Sequence, residues 1–190
     1  MAYLIGPKGL ANQIQEYIAD LLMEGETVDI DPWDEPTCQK FLNEWYILNP
    51  EVRDFQQEQA AHARRYGYVR DMFGRIRYIP EISCPIQYIQ ESGVRQAANF
   101  AVTASAQGII KTAMCELWQE LPKTQWAEQA HWLVQIHDSL IVEVLDDDEV
   151  VKPFLRWMGD IMCGVVTLRC PVKVDFKIGK RWAEMEKVEL

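Results

Sequence analysis

The stretch WLVQIHDSLIVEV, residues 132–144, is apolar on both flanks and charged at its middle, where His137 and Asp138 sit side by side. A carboxylate taken out of water is costly unless it is paired or holds a metal ion. Each apolar run is short and rich in β-branched residues, which predicts strand, tight turn, strand. Asp is a good turn residue. At this level Asp138 reads either as a turn former or as a group placed for chemistry.

Before this stretch the spacing predicts a long helix over about 93–121. Val94, Ala97, Ala98, Ala101, Ile109, Ile110, Ala113 and Leu117 recur at steps of one, three or four. Beside them runs a polar row of period four: Arg95, Asn99, Thr103. A step of four turns only about 40° around a helix, so the three share one strip. A solvated face usually carries Lys and Glu, whereas this strip carries hydrogen-bond donors.

The other elements follow from local signals. GLANQIQEYIADLLMEG (9–25) has helical periodicity, and residues 35–66 read as helix with a break near Asn49-Pro50. Gly67 ends that helix. GYVRDMFGRIRYIPEI (67–82) predicts two short strands about a turn at Phe73-Gly74. Asp146, Asp147 and Asp148 open a helix over about 147–163, where acids suit the positive end of the dipole. PVKVDFKIG (171–179) reads as a last strand leading to Arg181-Trp182.

Composition bounds the function. At 190 residues and 48% hydrophobic, the chain fills one large domain or two small ones. No apolar run reaches the length of a membrane span. The expectation is a soluble cytoplasmic protein, of a bacterial cell or a virus-infected host, with no membrane partner. Five cysteines form no CxxC pair, which favours reduced thiols over a zinc site. The net charge of −10 speaks against a nucleic-acid partner, but its distribution does not. Residues 1–60 hold 3 Lys/Arg and 12 Asp/Glu, whereas residues 61–80 hold five arginines and one acid, Asp71.

Four blocks in order resemble the C-terminal third of family A DNA polymerases, the family of bacterial DNA polymerase I. GYVRDMFGRIRYIPEI resembles the hairpin before the palm. RQAANFAVTASAQGIIKTAM resembles the palm helix, whose family pattern is R-x-x-x-N-x-x-x-Q followed by G-T-A-A-D-I-I-K. QIHDSLIVEV resembles the third polymerase motif, usually V-H-D-E, and CPVKVDFKIGKRW resembles the terminal strand ending in G-x-x-W.

The resemblance implies an α+β fold. Residues 1–90 would be a partial fingers subdomain, helical with a β-hairpin. Residues 91–190 would be a partial palm, with an antiparallel sheet packed on a long helix and a C-terminal helix. It implies nucleotidyl transfer assisted by Mg²⁺, with DNA primer-template and dNTP as ligands. Asp138 would be a metal ligand and catalytic, and His137 would position the primer terminus. Arg95, Asn99 and Thr103 would donate to minor-groove acceptors, which lie at similar places in every base pair. Arg75, Arg77 and Tyr78 would lie near the template. Tyr3 falls at the last Tyr of the family's nucleotide-binding helix.

Three departures stand out. The family's Glu after the motif Asp is Ser139, and its helix Gln is Thr103. No run resembles the rest of the nucleotide-binding helix or the first palm motif with its Asp. Because the chain starts with Met, the expectation is the C-terminal subunit of a split polymerase, completed by a second polypeptide. A piece cut from a longer enzyme and a non-catalytic interaction module are the alternatives.

Overall fold

A computed structural model describes residues 5–28 and 31–188. The chain divides into two compact units, 1–103 and 104–190, with the boundary inside the long helix α4 (Gln87–Glu120).

The first unit begins with α1 (Pro7–Met23), α2 (Glu35–Leu48) and α3 (Pro50–Tyr66). Asp34 caps α2 by accepting a bond from the Thr37 N–H at 2.9 Å. The break foreseen at Asn49-Pro50 is real. The Asn49 side chain donates to the Trp45 carbonyl at 2.9 Å, closing α2, and Pro50 opens α3. Gly67 adopts φ 77°, and its N–H bonds the Ala63 carbonyl at 2.8 Å, a left-handed C-cap that favours glycine. The chain then forms an antiparallel hairpin of β1 (Tyr68–Arg70) and β2 (Ile76–Tyr78). Gly74, at φ 81°, closes its turn, as the Phe73-Gly74 signal predicts. Ala63, Val69, Ile79, Ile82 and Ala97 form the core of this unit, with Val94 and Phe100 packed on it.

A short 3₁₀ turn, Pro80–Ser83, lies directly against the start of α4. A Cβ on Gly93 would stand 2.8 Å from the Ile82 backbone nitrogen and 3.0 Å from the Glu81 carbonyl carbon. Backbone cannot yield as a flexible side chain does. Gly93→Ala is expected to lower the stability of this unit by about 1–3 kcal/mol, the usual cost of overpacking. Urea unfolding checks this, and an unchanged midpoint would refute it. The helix itself starts at Gln87, six residues before its predicted start, because residues ahead of Gly93 already follow helical periodicity.

In the second unit the opening stretch folds as predicted: β3 (Ala130–Ile136) pairs antiparallel with β4 (Ser139–Val144). Helix α5 (Asp148–Gly164) follows. Asp147 caps it by accepting from the Glu149 N–H at 2.9 Å, Asp146 pairs with Lys180 at 3.1 Å, and Asp148 pairs with Lys152 at 3.0 Å. The acidic run therefore acts through capping and ion pairs. Ile110, Ala113, Leu117, Ala130, Phe154 and Met158 make the core, onto which Trp132, Leu140 and Val142 pack from the hairpin. Phe154 is fully buried, with the rings of Trp126 and Trp157 centred 5.8 and 5.6 Å from it. The predicted last strand shortens to β5 (Phe176–Ile178), and its partner is β6 (Glu186–Val188), which local pattern did not reveal. The fold is thus α+β, with small antiparallel sheets among helices. No described helix is long and apolar enough to cross a membrane.

Candidate functional site

The β3–β4 turn is a two-residue loop, His137-Asp138, closed by the Ile136–Ser139 pair. His137 has φ 53°, the only positive φ outside glycine among the described residues. A positive φ at the first loop position alone is the pattern of a type II′ turn, where glycine is usual. Histidine tolerates this region better than most residues. Two amides hold it there. The His137 carbonyl accepts a bond from Gln135 Nε2 at 2.6 Å and from Gln107 Nε2, on α4, at 3.1 Å.

The turn answers the question raised by a charge within an apolar run. Asp138 is exposed, as is His137, so the carboxylate bears no burial cost. The flanks are not uniformly buried either. The register slips between Trp132 and Val134, and Leu133 and Val134 are 57% and 44% exposed. Beside the turn opens a cavity of about 520 Å³, lined by Asp138, Ser139, Leu140, Ala106, Met158 and Asp175 among others. Asp175 is bonded by Lys187 at 2.9 Å, which holds its carboxyl below the usual carboxylate range. Carboxylate oxygen suits a hard divalent cation. Yet no group of three or more His, Cys, Asp and Glu among the described residues could hold a metal ion. Asp138 fits one ligand position and not a complete site.

In the first unit, Arg95 is half-buried on α4. Asn99 is also half-buried, and its Oδ1 is buried with no hydrogen-bond partner. Orphaned buried polar atoms of this kind are rare in folded proteins. Thr103 departs from the expectation of a donor. Its hydroxyl donates its one hydrogen bond to the Asn99 carbonyl at 2.8 Å, the back-bond common for Thr inside helices. The next residue on the four-step row, Gln107, escaped the sequence reading although the period pointed to it. It lies in the second unit, where its amide reaches the turn.

The arginine island divides into separate roles. Arg75 does not stand free for a template. Its Nε donates to Asp71 Oδ2 across the hairpin turn, and its guanidinium lies 5.7 Å over the Phe73 ring. Burial pushes the Asp71 carboxyl up, but bonds from the Arg75 side chain and from the Arg75 and Phe73 N–H groups outweigh it and hold the pKa below the ordinary range. Arg77 Nη2 donates to Gln96 Oε1 at 2.7 Å, and its guanidinium sits 5.9 Å from the Phe100 ring. Tyr78 is 73% exposed. Tyr3 lies outside the described residues.

Comparison with known proteins agrees in both sequence and fold. DNA polymerase I, thermostable, of Thermus aquaticus is 31% identical over 151 residues, 80% of this chain and 17% of that protein. DNA polymerase I of Geobacillus stearothermophilus is 32% identical over 143 residues, 75% of this chain and 16% of that protein. The fold is similar to that of the POL domain of Pol1 from M. smegmatis, solved in complex with DNA primer-template and dNTP. The TM-score is 0.73 at 24% identity, covering 90% of this chain and 27% of that one. The chain thus spans about a sixth of the length of the curated relatives it matches. With the family's sequence pattern matching across residues 2–184, the chain belongs to DNA polymerase family A.

Proposed function

We propose that this chain is the C-terminal part of a template-directed DNA polymerase, made of partial fingers (1–90) and partial palm (91–190), and that it contributes Asp138 to two-metal nucleotidyl transfer. The observation that carries this reading is the turn itself. A strained, left-handed His137, held by two glutamine amides, presents one exposed carboxylate at the tip of a hairpin. Strain maintained by dedicated hydrogen bonds is characteristic of functional sites.

Asp138 would hold Mg²⁺ together with carboxylates from polymerase segments beyond those described. When bound, the ions polarise phosphoryl oxygens and stabilise the attacking and leaving oxygens. His137 would lie at the primer terminus. Arg95 and Asn99 would contact the minor groove, and Arg77 and Tyr78 the template. The chain supplies one tip carboxylate, and the remaining motifs that complete the site are read here as carried by a second polypeptide. The cavity beside Asp138 and the exposed Leu133 and Val134 offer it apolar surface. The spent hydroxyl of Thr103 favours a second reading, a non-catalytic interaction module built on a palm.

Primer extension with Mg²⁺ separates the readings. The chain alone is expected to be inactive, and addition of a polypeptide bearing the first palm motif and the nucleotide-binding helix is expected to produce extension. Activity of the chain alone would refute the need for a partner. Assembly without activity would favour the interaction module.

A further inference from the structure

The first unit holds a second cavity, of about 710 Å³, that the polymerase reading does not use. Residues of α2 and α3 line it, with Gly6 and Pro7 at the start of α1. Part of its lining is a fixed polar network. Gln56 on α3 is 4% exposed, and its Oε1 accepts a bond from the Tyr46 hydroxyl, on α2, at 3.0 Å. A buried amide is costly unless it is bonded, so this contact fixes the seam between the two helices. Tyr46 in turn holds a cation, with the Arg53 guanidinium 5.8 Å from its ring centroid. Along α2, the Gln39 amide donates to Asn43 Oδ1 at 2.9 Å.

Charge sets the cavity apart. Residues 1–60 hold 12 Asp/Glu and 3 Lys/Arg, yet among the described residues no Asp or Glu lines this cavity, and Arg53 and Arg64 do. Both arginines are exposed, and neither forms an ion pair among the described residues. They are separated by three turns of α3, a rise of about 16 Å, with Gln57 and Ala60 between them in the lining. A guanidinium fork suits an oxyanion, which it can bond at two oxygens. Two forks on one helix suit a ligand with more than one anionic group. Carboxylate oxygens lie in one plane, whereas phosphoryl oxygens radiate and can meet donors from both helices. A nucleic-acid strand would also present bases, but Tyr46 is the one ring among the described lining residues, and Arg53 already lies over it.

We propose that this cavity is a binding site for a short oligophosphate chain. Arg53 and Arg64 bond the phosphates from α3, and the amides of Asn43 and Gln57 donate to phosphoryl oxygens between them. The bound chain bridges α2 and α3 and stabilises the first unit by mass action. The site draws on no residue assigned to the metal or to primer-template, so it goes beyond the polymerase reading and does not depend on it.

The test is isothermal titration calorimetry of the full chain, without divalent metal and at matched ionic strength, against inorganic tripolyphosphate, orthophosphate and citrate. Tripolyphosphate is expected to bind at least about tenfold more tightly than either of the others. Arg53→Gln with Arg64→Gln is expected to weaken it by about tenfold or more, because two charge-assisted contacts are removed. Arg65→Gln, outside the cavity lining, is expected to stay within about twofold. Deoxythymidine triphosphate distinguishes the source of the chain. Binding equal to that of tripolyphosphate assigns the tail of a nucleotide, and binding about tenfold weaker or more assigns a free oligophosphate. Both cavity arginines are exposed, so the variants should keep the fold, which circular dichroism verifies. As a second measurement, tripolyphosphate is expected to slow hydrogen exchange in α2 and α3 and to leave the β3–β4 hairpin unchanged. Equal affinity for the three inorganic and organic anions, binding unchanged in the double variant or weakened as much by Arg65→Gln, or protection confined to other segments would overturn the proposal.

Discussion

Asp138→Ala is expected, on the proposed metal-ligand role, to reduce primer extension by the reconstituted polymerase by about 10³-fold or more without disturbing assembly. Metal-assisted stabilisation of developing charge is worth several kcal/mol, and each ~1.4 kcal/mol is a factor of ten in rate. The exposure of Asp138 makes the experiment clean. Its side chain supports no core contact, and the turn's strain is held by the His137 carbonyl rather than by the carboxylate. Steady-state extension with Mg²⁺ measures the rate, and gel filtration of the complex measures assembly. Extension within tenfold of the wild type would remove Asp138 from the metal site. Loss of assembly would make the residue structural instead.

Asp71→Ala is the largest expected effect on stability, about 2–4 kcal/mol, since it leaves two N–H groups of the hairpin turn without their acceptor. The Asp71 side chain is fully buried. It accepts bonds from the Phe73 and Arg75 N–H groups at 2.9 Å each, besides that from the Arg75 guanidinium. Alanine leaves all three donors without this acceptor and releases the turn of the β1–β2 hairpin. The same site gives an acid response. Because the folded-state pKa of Asp71 is depressed, its contribution is fully present above the unfolded value of about 3.9. It is lost as pH falls from there through the folded value. Asp71→Asn keeps an acceptor but not the charge, so its stability is expected to vary less with pH below about 4. Urea unfolding across that range, with hydrogen exchange at Val69 and Arg77, measures both effects. Wild-type midpoints in the alanine variant would refute the assignment.

Much of the fold was legible in order along the chain, because its signals act between near neighbours. Pro50 cannot extend α2, Gly67 can turn left-handed where other residues are strained, and Asp147 reaches an N–H two residues on. Alternating apolar runs about His137-Asp138 left a tight turn as the simplest outcome. The four motif blocks likewise needed only their order to be recognised. For the candidate site, the apolar pattern predicted Asp138 in a turn and the four-residue period put Arg95 and Asn99 on one strip, while their roles came from the resemblance.

Which groups meet was decided elsewhere. Gln107 and His137 are 30 residues apart, and nothing local states that an amide on α4 will hold a strained carbonyl in a hairpin turn. Arg75 looked like one of five equivalent cations until the buried Asp71 claimed it. Thr103 looked like a donor to a ligand until its hydroxyl proved to donate to the Asn99 carbonyl within the helix. The pairing of β5 with β6 and the ring contacts of Tyr68 on β1 with Tyr66 on α3 and Tyr78 on β2 also join segments with no shared local signal. The physical reason is one of range. Backbone sterics and helical periodicity act over a few residues and are written in order along the chain. Hydrogen bonds, ion pairs and ring contacts depend on distances in space, which exist only once the chain has packed.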